Sequence, residues 1–90
     1  MGHAEKILAA REGDAVIAQD GNLGRVDRIV RSESNRPAYL VVAVGRIPRR
    51  RYPVLSSRLV TTVDRSRRHV HVRGRRVFLE RLPETLPLVH

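Results

Sequence analysis

The chain has 90 residues, no cysteine, and a formal net charge of +9 at pH 7 from 18 bases and nine acids. That length holds one small domain with a single core, and the lack of cysteine excludes both a disulfide framework and thiol chemistry. The core must be aliphatic, because thirteen valines stand against two tyrosines and one phenylalanine, a bias that favours sheet. The longest charge-free stretch, residues 37–45, is far short of the about 20 residues of a membrane-spanning helix. The N-terminal MGHAEKILAAREGD has no long apolar run of the signal-peptide kind. A cytoplasmic chain without membrane insertion is therefore expected.

In chain order, residues 4–11 (AEKILAAR) predict about two turns of helix, stopped by Gly13. Residues 15–18 read as a short strand, and Asp20-Gly21-Asn22 supplies the residue types of a tight hairpin. The return strand runs over about 23–31. Strict alternation there would place Ile29 on the opposite face from Val26, so the three-residue step between them predicts a β-bulge, with Gly24 allowing the bend. Residues 32–36 form a polar loop.

PAYLVVAV, residues 37–44, is apolar on both faces and reads as a central strand. A basic connection containing Pro48 leads to a short strand at 51–54, held to an edge or strand end by Pro53. Leu55-Ser56-Ser57 reads as a turn feeding a strand over 59–63. After the loop 64–68 comes HVHV, with Val70 and Val72 on one face and His69 and His71 on the other. Residues 75–82 continue as strand or start a short helix. The expected core is Val26, Ile29, Leu40, Val42, Val63, Val70 and Val72.

About six short strands with a turn signal between each predict an all-β domain, a small barrel or sandwich with short helical segments near the termini. The domain spans residues 12–82, with an N-terminal segment 1–11 and a tail 83–90 outside it.

The order of motifs carries a resemblance. GDAVIAQDGNLGRVDRIV, then PAYLVVAV, then RRYPVLSSRLVTTVD and HVHV resemble the PRC-barrel family. The matching residues are Asp20-Gly21, Gly24-Arg25-Val26, Leu40 to Val44, Pro53 to Ser56, and Val63-Asp64. The chain departs from the pattern in having two aliphatics between Pro53 and Ser56, and in the arginine density of 46–51 and 65–76. The resemblance implies a PRC-type β-barrel that serves as an interaction module without a shared active site. Relatives include the cytoplasmic domain of the photosynthetic reaction-centre H subunit and the C-terminal domain of a ribosome maturation factor.

Catalytic chemistry finds little support. There is no G-x-S-x-G elbow and no phosphate-cradling G-x-x-x-x-G-K-S/T. Ser56 and Ser57 occur with Asp64, His69 and His71, but those residue types co-occur by chance in most sequences. His69 and His71 share a strand face as metal ligands would, yet the arginines between Asp64 and Glu80 would repel a cation. No enzyme activity, cofactor or metal is expected.

The charge is uneven along the chain. Through position 33 six acids face five bases, whereas from Ser34 onward three acids face thirteen bases. Such asymmetry suggests an anionic partner, although seventeen of the eighteen bases are Arg, which a GC-rich genome favours without functional demand. If the strands form an antiparallel meander, the hairpin at 20–22 and the loops 46–50 and 65–68 lie at one end of the sheet. That end would then gather Arg46, Arg49, Arg50, Arg65, Arg67 and Arg68.

Two functions follow. One is a non-catalytic barrel that docks on a protein partner or on its own copy, the homodimer face being Tyr39 and Val41 on the doubly apolar strand. The other is a module that binds nucleic-acid phosphates through the basic end. Single-strand readers need exposed aromatic platforms, and Tyr39, Tyr52 and Phe78 are all expected to be at least partly buried.

Overall fold

Alternating aliphatics and a glycine-bearing turn build the first hairpin. In the computed structural model, which describes residues 9–31 and 37–85, β1 (Ala15–Ala18) buries Val16 and Ala18 and turns through Gln19-Asp20 into β2 (Gly21–Arg31). Gly21 takes φ of 135°, a conformation that an L side chain rarely adopts. Most of the segment 4–11, the loop 32–36 and the end of the tail lie outside the described residues. Residues 9–11, the described end of the expected N-terminal helix, are turn and coil.

The first half of β2 pairs with β1 and the second half with β3 (Pro37–Ala43), both antiparallel. The register of β2 against β3 runs Val26↔Val42 and then Arg28↔Val41, leaving Asp27 unmatched. This is the expected bulge, and it turns both Val26 and Ile29 toward the core. A second irregularity, Val16↔Gly24 followed by Ile17↔Asn22, makes Leu23 the extra residue and buries it. Gly24 has a different reason from the bend read in the sequence. A Cβ at that position would run into the Ala43 carbonyl oxygen, so the close approach of β3 requires glycine.

The next strand is shifted from its expected place. Arg51 makes an isolated bridge to Val44, and β4 (Val54–Ser56) starts only after Pro53. Proline has no N–H for the ladder and suits a strand start; its carbonyl accepts from the Val42 N–H at 3.1 Å. Leu55, read from sequence as a turn residue, is fully buried in this strand. A 3-10 turn (Ser57–Leu59), with the Ser56 hydroxyl accepting from the Arg58 N–H, leads into β5 (Val60–Asp64) and then β6 (His69–Val72). Within residues 75–82 a single helical turn forms, α1 (Arg76–Leu79), which inserts Leu79 into the core.

The strands do not form an antiparallel meander throughout. β6 pairs parallel to β1, through Ala15↔His69, Val16↔Val70 and Ile17↔His71, so the sheet order is β4-β3-β2-β1-β6-β5. A flat sheet of that order would hold β4 and β5 about 24 Å apart, five spacings of roughly 4.8 Å. The chain joins them with only the three residues of the 3-10 turn, a reach of about 10 Å. The sheet must therefore curl until its edges approach. No ladder joins β4 to β5, which corrects the closed barrel expected from the sequence to an open, curled six-stranded sheet. The segment after α1 meets the β4 edge, where Val54 N–H donates to the Pro83 carbonyl at 2.9 Å and Tyr52 N–H to Glu84 Oε1 at 2.7 Å.

Of the expected core, Val26, Leu40, Val42, Val70 and Val72 are buried, while Ile29 and Val63 pack against them partly exposed. Ala10, Val16, Ala18, Leu23, Leu55, Val60 and Leu79 are the other buried members of the cluster. Truncating Val42 to Ala removes fully buried methyls and should cost about 1–3 kcal/mol in urea denaturation. Gly24→Ala should cost at least about 2 kcal/mol through overpacking against β3. An unchanged urea midpoint for Gly24→Ala would show that β2 and β3 are not in this close register.

Candidate functional site

The loop 65–68 is bound to a buried carboxylate. Asp14, fully buried, accepts from the Arg11 N–H at 2.9 Å and from Arg65 at 2.5 Å on Oδ2, and from Arg68 Nε at 3.3 Å on Oδ1. Its own carbonyl accepts from the Val26 N–H, and Ala15 N–H donates to the Arg68 carbonyl. Burial pushes the Asp14 carboxyl upward, but the Arg11 N–H and the Arg68 and Arg65 guanidinium groups outweigh it and hold the group below its ordinary value. Arg67 faces Asp64 at 3.9 Å, and Asp64 also accepts from the Ser66 hydroxyl and the Arg67 N–H. These three arginines hold the β5–β6 turn in place.

The arginines of the loop after β3 are differently placed. Arg46 and Arg50 line an open depression together with Arg25, Arg76, Asp27 and the backbone of Gly24 and Gly45. Arg25 reaches the Gly13 carbonyl at 3.0 Å, and Arg50 Nε the Gly45 carbonyl at 3.4 Å. Main-chain oxygens orient these groups without neutralising them. The Arg49 N–H donates to the Arg46 carbonyl at 2.8 Å, but neither guanidinium group has a hydrogen-bond or ion-pair partner among the described residues. Arg76 is shared with Asp20, whose carboxylate accepts the Arg76 N–H at 2.9 Å and lies 3.6 Å from its Nε. That N–H, with the adjacent guanidinium, lowers the Asp20 carboxyl.

The sequence grouped six arginines at one end; in the structure the two loops that carry them leave the shared row Ala43–Arg25–Ala15–His69 in opposite directions. Because β6 is parallel to β1, the turn before β6 lies at the end of the sheet where β1 starts. The hairpin after β1 and the loop after β3 lie at the other end. Arg46, Arg49 and Arg50 thus part from Arg65, Arg67 and Arg68. Arg25 and Arg76 were missed. Arg25 stood in the Gly24-Arg25-Val26 motif, whereas no local signal placed Arg76 beside Asp20, fifty-six positions away.

The expected homodimer face is not open. Val41 is only 3 % exposed in the single chain, and Tyr39 is half-buried. Strand β3 is covered on both sides, so the pair offers no apolar patch to a second copy. The exposed large apolar groups are instead Phe78 (70 %), Ile47 (76 %), Val77 and Tyr52; Phe78 is far more open than the partial burial expected of the aromatics, whereas Tyr52, 37 % exposed, is partly buried as expected. His69 and His71 stand edge to face with ring centroids 5.9 Å apart. No group of three or more potential metal ligands occurs among the described residues. No helix there is long and apolar enough to cross a membrane.

No protein-family model matches the chain, and no curated protein matches it. Among solved structures, RimM from Pseudomonas aeruginosa, assigned to 16S ribosomal RNA processing, matches with a TM-score of 0.55 at 24% identity over 71% of this chain. The likeness is one of fold. The chain spans 40% of the RimM chain.

Asp14 has a lowered native value, so its stabilising contribution is present above the unfolded value of 3.8. It is lost as pH falls through the native value. Asp14→Asn should therefore be less stable at neutral pH by about 1–3 kcal/mol, and its stability should change less with pH below about 4. Asp20 and Asp64, both also lowered, leave a residual slope. Parallel acid-denaturation curves for the two proteins would rule out Asp14 as the group responsible.

Proposed function

We propose that this domain is a non-catalytic, RNA-associated binding module that holds phosphate backbone in the depression between β2, the loop after β3 and α1. The carrying observation is the charge of that depression, four guanidinium groups against the single carboxylate of Asp27. Arg76 is partly neutralised by Asp20, leaving Arg25, Arg46 and Arg50 available to an anion. Bidentate guanidinium donors suit phosphate oxygens. The burial of Val41 counts against the competing reading, an apolar face docking on a protein or a second copy. The fold neighbour's assignment to ribosomal RNA processing supports RNA as the source of the phosphates. Contacts of this kind give affinity and register but little sequence information.

Counterion release gives the test. With about three phosphates neutralised, log K against log salt should have a slope near −2.7 for a short duplex. Affinity should fall roughly 40-fold between 50 and 200 mM salt by the same relation. The triple variant Arg25→Gln, Arg46→Gln, Arg50→Gln should bring that slope close to zero. Arg67→Gln, on the β5–β6 turn, should leave it unchanged. Absence of measurable binding to any duplex or single strand at 50 mM salt would remove this reading, as would a slope that the triple variant does not alter.

A further inference from the structure

The turn that carries Arg76 also carries the most exposed aromatic of the described residues. Phe78 is 70 % exposed, in a chain with only three aromatic residues, and its placement is fixed. Phe78 and Leu79 N–H both donate to the Arg75 carbonyl, Glu80 N–H to Arg76, and Arg81 N–H to the Phe78 carbonyl at 3.2 Å. Leu79 anchors this turn in the core, and the Arg76 N–H ties its start to Asp20. The ring is thus held out on a rigid support, where water gains nothing from it.

Arg75 and Arg81 stand three positions before and after Phe78, Arg75 as the extended residue at the start of α1 and Arg81 in the turn that follows it. Both are exposed, and neither side chain has a partner among the described residues. Their long flexible stems let both guanidinium groups approach a ligand on the ring. A planar apolar face between two unpaired cations matches one nucleotide, with its base on the ring and its flanking phosphates on the arginines.

We infer that Phe78 is a stacking platform for an unpaired RNA base, with Arg75 and Arg81 taking the adjoining phosphates. This rests on the proposed RNA-binding role and deepens it: the ligand is single-stranded or carries an unpaired base. Base–aromatic stacking tolerates any base, so the platform selects strandedness and not sequence.

The test uses the whole chain with a single-stranded RNA bearing a central 2-aminopurine, beside a fully paired duplex of equal length. Binding of the single strand should quench the 2-aminopurine. Phe78→Ala should weaken single-strand affinity roughly 5- to 150-fold, the range for loss of one base–aromatic stack, and leave duplex affinity within about twofold. Phe78→Leu should lose as much as Phe78→Ala, while Phe78→Trp should retain binding and quenching. Far-ultraviolet circular dichroism and the urea midpoint of each variant should match the parent, since the ring is outside the core. Wild-type single-strand affinity in Phe78→Ala, with duplex binding intact, would overturn the platform and leave the phosphate-binding reading standing. Wild-type affinity in Phe78→Leu would overturn it too, as an apolar contact without stacking. Loss of all nucleic-acid binding by the unmodified chain at 50 mM salt would remove both.

Discussion

A carboxylate with no exposed surface decides how this sheet is joined. Asp14 stands just before β1 and binds the backbone of Arg11 and the side chains of Arg65 and Arg68 from the turn before β6. Burying such a charge carries a desolvation penalty of several kcal/mol and is tolerated only when its oxygens are fully partnered; here both are. The two arginines are half-exposed, so their charges remain largely solvated while the acid is not. With the Ala15 N–H on the Arg68 carbonyl, this contact aligns the starts of β1 and β6 and fixes them parallel. Parallel neighbours need a long crossover, and β2 to β5 are that crossover.

From that pairing the remaining architecture follows. With β6 beside β1, β5 becomes one edge and β4 the other, and the three-residue 3-10 turn between them forces the curl. Leu55 and Val60, which flank this turn, are both fully buried, so the two edges contribute to one core without sharing a ladder. An unpaired edge invites association with other chains. The bonds from Val54 to Pro83 and from Tyr52 to Glu84 cap part of the β4 edge within the chain.

Legibility in the sequence tracks the range of the interaction. The 20–22 hairpin and the Asp27 bulge were readable because both are local: turn chemistry at Gly21, and a three-residue step between Val26 and Ile29 that alternation cannot accommodate. The helix–strand ambiguity at 75–82 was resolved by Leu79, whose burial no local pattern announces. The parallel β1–β6 pairing was not readable, since it depends on Asp14 finding Arg65 and Arg68, fifty-one and fifty-four positions away. The same failure propagated to the candidate site. An assumed meander placed the loops 46–50 and 65–68 together, and the Asp14 contacts send the second to the other end. Gly24 was noticed, but its reason was not, because the obstructing atom belongs to Ala43 on another strand.

The arginine excess then has two parts with different physical meaning. Nine acids cannot neutralise eighteen bases, so unpaired guanidinium groups are unavoidable wherever the chain folds, whatever genomic bias supplied them. What the fold decides is which ones. Asp14 and Asp64 lie against the β5–β6 turn and engage Arg65, Arg67 and Arg68 there. Asp20 takes Arg76 at the start of α1, and Glu84 faces Arg51 at 3.8 Å. The arginines left without a carboxylate include Arg25, Arg46 and Arg50 around one depression and Arg75 and Arg81 beside an exposed ring. A surplus used only for solubility would have no reason to line one concavity, since like charges on a shared surface repel. An entering anion would relieve that repulsion, which is the physical support for the proposed phosphate-binding role.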